Sequence, residues 1–314
     1  MNKMTQYLLC TLAVTLPVAS QAYEPVQLGD FTLTPYARLV AGVEAIDNYY
    51  QSGLSSSKVE TSANNWGTSY LGTSASIPFS QGWSGQANLE MGFDTEDGSS
   101  NDESSLFNRQ ANVGVHSEQF GTLSAGTHLV IAQDILDMDP MGFQSYGLNT
   151  LTNGVNDGTA DNSVLYRSPE LYGASVGYMH MFGGEVGNPR KASGDGASLN
   201  YRLGDFQLRG VYLQRADDYG RYIGGETYGL GSQGQWSYVK NYAVGASYQL
   251  ADVKMIAGYD QAKAPDAGRS SPRPRRRVGA SEATCAGVSA PMASVRPSGP
   301  GEVRGRRWSR GVGR

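Results

Sequence analysis

The side chains able to do chemistry are few in this 314-residue chain, and none has the spacing that catalysis needs. The 3 histidines, His116, His128 and His180, all fall in alternating stretches. No G-x-S-x-G turn supplies a nucleophilic serine, so a structural or lumenal role for these rings is favoured over a Ser-His-Asp site. Gly229-Leu230-Gly231-Ser232-Gln233-Gly234 matches the dinucleotide pattern G-x-G-x-x-G. No helical pattern follows it, and a chain with 41 glycines meets that pattern by chance. Asn153-Gly154-Val155-Asn156-Asp157-Gly158 hints at a calcium loop, but its carboxylates are wrongly spaced and no Glu closes it. The 2 cysteines, Cys10 and Cys285, leave residues 23–261 without a thiol, which excludes a disulfide framework or a cysteine metal site there. Neither a metal nor another cofactor is expected. What remains is placed charge. Asp134, Asp137 and Asp139 crowd one long polar stretch, while Arg38, Glu44, Glu90, Asp94, Arg167, Arg202, Arg209 and Lys254 punctuate alternating segments. Walls of fixed charge around water make no bonds; they select ions.

The elements that must carry those charges have a period of two. Leu33, Pro35, Ala37, Leu39, Ala41, Val43 and Ala45 alternate with Thr34, Tyr36, Arg38, Val40, Gly42 and Glu44. Trp83 to Phe93, Tyr242 to Leu250 and Val253 to Tyr259 alternate in the same way. Less regular strands are expected near 66–77, 107–117, 122–129, 162–168, 172–182, 197–203 and 206–214, giving eleven in all. Short turns, such as Gly204-Asp205 and Ala251-Asp252, alternate with long polar loops at 47–65, 94–106, 130–161, 183–196 and 215–239. Strand, short turn, strand, long loop is the rhythm of an all-β, transmembrane, antiparallel up-and-down barrel. Alternation alone also fits a soluble sheet with one wet face. Three features favour the membrane: strands approaching the roughly 9–11 residues that cross a bilayer, a second face of Gly, Ser, Asn and charge, and aromatics at strand ends. By strand phase the eight punctuating charges face a water-filled lumen.

The flanks differ from the middle. Residues 1–22 read as a signal peptide: Lys3, an apolar core from Tyr7 to Leu16, Pro17, then Ser20-Gln21-Ala22 before the cut. An exported chain meets no nucleic acid, so Arg273-Pro274-Arg275-Arg276-Arg277 is not expected to bind any. The formal net charge of −4 averages unlike parts: residues 262–314 hold 12 basic and 3 acidic residues, and residues 1–261 hold 13 and 26. Every Tyr and Phe precedes Gln261. The 262–314 segment is expected to be a disordered Arg/Pro/Gly-rich tail of out-of-frame origin, because it has little apolar surface with which to offset ordering entropy.

Leu106 to Val115 (LFNRQANVGV), Phe120 to Gly126 (FGTLSAG) and Asp161 to Pro169 (DNSVLYRSP) resemble segments of the Gram-negative general porins, the trimeric proteobacterial outer-membrane type. Tyr201 and Tyr248 fit that family's strand-end tyrosines. The resemblance covers roughly Phe31 to Asp260. It implies a sixteen-stranded barrel, a homotrimer in outer-membrane lipid, and passive diffusion of ions and small hydrophilic solutes. It also implies that 130–161 is a third loop folded inward, with Asp134, Asp137 and Asp139 at the constriction. Members carry Arg after the Gly matching Gly126, where this chain has Thr127. Members also continue for five more strands. Eleven strands cannot close such a barrel, so a truncated product without a stable pore stands as one alternative. An adhesive or enzymatic barrel is the other.

Overall fold

The computed structural model describes residues 25–51, 54–63, 67–102, 104–139, 158–184, 186–187, 193–217, 222–223, 226–227, 237–263 and 280–289. The expected leader, the Arg-rich cluster at 273–277, the G-x-G-x-x-G match and residues 140–157 of the third loop lie outside them. The strands, in chain order, are β1 (Val26–Leu28), β2 (Phe31–Arg38), β3 (Ala41–Gln51), β4 (Leu54–Ala63), β5 (Ser69–Ser80) and β6 (Trp83–Phe93). Then come β7 (Gln110–Ser117), β8 (Gly121–Leu129), β9 (Thr159–Arg167), β10 (Ala174–Met181), β11 (Gly194–Leu203) and β12 (Phe206–Asp217). The last are β13 (Tyr222–Ile223), β14 (Glu226–Thr227), β15 (Ser237–Leu250), β16 (Val253–Lys263) and β17 (Ala280–Ser289). One 3-10 helix, Ile131–Met138, follows β8.

Thirteen strands form one antiparallel sheet in the order β1-β2-β5-β6-β7-β8-β9-β10-β11-β12-β15-β16-β17. β3 pairs with β4, and β13 with β14, as separate ribbons. Among the described residues no ladder joins β1 to β17, so the sheet is open there. No helix among them is long and apolar enough to cross a membrane, which does not bear on crossing by strands.

The alternation resolves into two faces. Leu71 and Ile77 on β5, Val113 and Val115 on β7, Val176 and Tyr178 on β10, and Tyr242, Val244 and Tyr248 on β15 are all exposed on one side. The other side carries Glu90, Asn112, His128, Ser163, Ser198 and Asn241, all buried. Polar inside and apolar outside inverts the soluble pattern and matches a wall between lipid and water. Tight turns close the short-loop end: Gly82 (φ +70°) and Gly204 (φ +56°) take the left-handed conformation that two-residue hairpins require.

Four expectations are corrected. The single strand read from Leu33 to Ala45 is two strands. Val40 leaves the ladder because Ser69 satisfies its backbone: its N–H donates to Ser69 Oγ at 2.9 Å, and the hydroxyl donates to its carbonyl at 3.2 Å. β4 occupies the expected 47–65 loop, and β13 and β14 fall in the 215–239 loop. The long polar loop expected at 130–161 opens with the 3-10 helix. The expected disordered tail contains β17, paired to β16 with Gly258 opposite Cys285. That strand falls within 278–290, a stretch of the tail without Pro or Arg, the residues that break ladders and resist lipid.

Candidate functional site: a charged constriction on the inner face

The site is built where the 3-10 helix lies against the polar face. The helix is amphipathic: Ile131, Ile135 and Met138 are at most 1% exposed, packed with Met179, Val211, Leu213 and Ile256 of the wall. Three glycines make that approach possible. A Cβ on Gly177 of β10 would sit 2.9 Å from Ile131 Cδ1, and one on Gly245 of β15 would sit 2.6 Å from Met138 Cβ. One on Gly196 of β11 would collide with Ile131 Cγ2. The wall therefore has a notch without side chains, and the helix fills it.

The polar side of the helix is held by cations from the same wall. Arg167, at the end of β9, donates through both terminal nitrogens to Asp134, at 2.8 and 3.0 Å. Arg209 of β12 pairs with Asp137 and donates to the Asp134 carbonyl at 2.8 Å. Lys254 of β16 donates to the Asp137 carbonyl at 3.3 Å.

Facing these, β2, β5 and β6 present a second charged group. Arg38 and Arg109 place their guanidinium carbons 4.8 and 5.0 Å from the Tyr70 ring centre. Arg109 Nε donates to Glu90 Oε1 at 2.5 Å, and Glu90 is 4% exposed. Arg38 Nε donates to the Thr68 carbonyl at 2.8 Å. Between the groups lies an open cavity of about 670 Å³, which Arg38, Glu90, Asp134, Asp137, Asp139, Arg167 and Arg209 all line. The buried His128 sits at its edge, with Ser124 and Ser163 hydroxyls each 2.8 Å from a ring nitrogen. The arrangement has no nucleophile backed by a carboxylate. Among the described residues no cluster of His, Cys, Asp and Glu could hold a metal. It is an open cavity flanked by fixed charges.

Seven of the eleven charges singled out in the sequence are thus gathered on one cavity, and Lys254 braces the helix. The other three stand apart. Arg202 lines a separate recess of about 200 Å³ near the short-turn end. Asp94 follows β6 and ties a loop, accepting the Glu96 N–H at 2.9 Å. Glu44 rides on the β3–β4 ribbon, outside the main sheet. Sequence reading missed Arg109 and Tyr70. Strand phase aims Arg109 outward with Val113 and Val115, but it precedes β7, and its N–H still reaches the Glu90 carbonyl at 3.2 Å. The chain bends at 108–109, just before β7, and the Arg109 side chain turns inward to Glu90.

Comparison with known proteins places this geometry. The chain matches the family described as Gram-negative porin over residues 9–299. An outer membrane porin protein of Bordetella pertussis is 33% identical over 97 residues, a stretch amounting to 30% of this chain and 25% of that protein. The match thus spans about a quarter of that relative's length. The anion-selective porin from Comamonas acidovorans superposes with a TM-score of 0.60 at 19% identity, over 74% of this chain and 68% of that one. OmpF of Salmonella typhi, solved with daunomycin, superposes with a TM-score of 0.50 at 16% identity, over 76% and 68%. At these identities the two structures speak to the fold.

Proposed function

Because the chain belongs to the Gram-negative porin family, we propose that it forms a water-filled channel in the outer membrane, through which ions and small hydrophilic solutes diffuse without a chemical step. The observation that carries this reading is the docked 3-10 helix: it brings three acids onto the inner face of a sheet whose outer face is apolar. Asp134, Asp137 and Asp139 line the cavity that this reading takes as the constriction. Arg38, Arg109, Arg167 and Arg209 line it with Glu90.

Four guanidinium groups and four carboxylates border that cavity, so the passage itself is nearly balanced. The balance tips in the chain around it. Residues 23–261 carry 12 basic and 26 acidic side chains, and acids near a mouth concentrate cations. A weak cation preference follows. Reversal potentials across a planar bilayer in a salt gradient test it. An anion preference would overturn it and make Arg38 and Arg109 the dominant wall. Assembly as a homotrimer is part of the proposal; chemical cross-linking of the folded protein in detergent checks it, and a monomer-only pattern would remove it.

A further inference from the structure

We propose that Tyr70 is a positioning residue of this cavity: its ring stands between the guanidinium groups of Arg38 and Arg109 and fixes both on the wall, which sets how strongly that wall draws anions. The role rests on the channel reading above.

The ladder register builds the stack. Arg38 of β2 lies opposite Tyr70 of β5, and Tyr70 lies opposite Gly92 of β6. Residues opposite one another in an antiparallel pair share a face, here the inner one. Gly92 leaves its place on that face empty, and the Arg109 side chain crosses it: a Cβ on Gly92 would sit 2.9 Å from Arg109 Cδ. The ring therefore meets one guanidinium from the β2 side and the other from the β6 side, at 4.8 and 5.0 Å from its centre. Both are within the roughly 6 Å at which a ring face attracts a cation.

The neighbouring layer repeats the device. Tyr36 lies opposite Gly72, and Gly72 lies opposite Glu90. A Cβ on Gly72 would collide with the Tyr36 ring, so Tyr36 lies across the missing side chain. Its ring meets that of Tyr70 at 6.0 Å and 75°, an edge-on contact that braces Tyr70. Each guanidinium is also tied at its own side, Arg109 to Glu90 and Arg38 to the Thr68 carbonyl.

Two guanidinium groups this near repel each other, and the ring offers each of them an attractive face. Among the described residues the Tyr70 hydroxyl makes no hydrogen bond, so the ring and not the hydroxyl holds the arginines. A charge held in place acts on every ion that passes; one free to swing acts for part of the time.

The test labels arginines with phenylglyoxal in the full chain folded in detergent, read residue by residue by mass spectrometry, beside reversal potentials in a planar bilayer. Tyr70→Leu should raise labelling of Arg38 and Arg109 about threefold and lower the anion-to-cation permeability ratio about twofold. Tyr70→Phe keeps the ring and should match wild type in both. Gly92→Ala keeps Tyr70 and should raise labelling of Arg109 more than that of Arg38. Unchanged labelling in a folded Tyr70→Leu protein overturns the proposal, and so does a Tyr70→Phe protein that behaves like Tyr70→Leu. Arg109 labelling untouched by Gly92→Ala overturns the path assigned to that side chain. Raised labelling with an unchanged permeability ratio overturns the link to ion selection. Labelling does not need conduction, so a wild-type chain that passes no ions overturns the channel reading while labelling still decides whether Tyr70 holds the arginines.

Discussion

Filling the glycine notch should release the constriction more effectively than breaking its ion pairs. Four side chains of the 3-10 helix, Ile131, Ile135, Leu136 and Met138, are at most 7% exposed. Full burial of each stabilises by about 1.5–3 kcal/mol, so docking draws on roughly 6–12 kcal/mol of apolar burial. The anchoring pair of Arg167 and Asp134 has an Arg side chain 43% exposed, and pairs so open to water contribute about 0–1 kcal/mol. Packing therefore outweighs charge. A Cβ on Gly245 would fall 2.6 and 2.8 Å from Met138 Cβ and Cγ. Overpacking of that kind costs about 1–3 kcal/mol per site. Gly245→Ala alone should leave the helix docked but noisy. Gly177→Ala, Gly196→Val and Gly245→Val together should approach the docking energy and expel it. In single-channel recording the triple variant should conduct more than wild type, and Arg167→Gln should change conductance little. Protease cleavage near residue 134 in the folded protein reports expulsion separately. Unchanged conductance and protection in a correctly folded triple variant would refute the packing argument. Expulsion by Arg167→Gln would show that charge governs docking.

Replacing Asp134, Asp137 and Asp139 by Asn should lower cation preference, read as a smaller reversal potential, while the sheet still folds. Asp97 and Asp102 lie in the loop after β6; the Ser99 N–H on the first, and the Ser104 hydroxyl and N–H on the second, hold both carboxyls below the usual carboxylate value. Their contribution to loop order is present above the unfolded value of about 3.9 and lost as pH falls through the lower folded values. Proteolysis within 94–109 should rise only on that acid side, and a rise between neutral pH and about 5 would contradict the linkage. The Arg- and Pro-rich composition after 262 predicts that another reading frame downstream of codon 261 restores period-two patterning; its absence from all three frames would remove the out-of-frame origin.

Much of the wall was legible because lipid and water sort side chains at a period of two. Glu90, Arg167, Arg209 and Lys254 lie on the inner face where phase put them. What escaped depends on contacts far away in sequence. The break at Val40 needs a hydroxyl 29 residues on. β4 has polar residues on both faces, so no alternation marks it. The 3-10 helix is 8 residues long, too short to announce a period inside a polar loop. Gly177, Gly196 and Gly245 look like any small lumenal residues until Ile131 and Met138 are seen to occupy their missing side chains. Arg109 was misdirected because phase stops at the end of a ladder.

Conductance of the full chain in a planar bilayer tests most directly whether the helix at 131–138 narrows a wet passage. Discrete, ohmic ion-conducting steps are expected, with conductance that changes when the helix's acids or the glycine notch are altered. Protein that is folded and protease-resistant in the membrane, yet passes no ions, would contradict it.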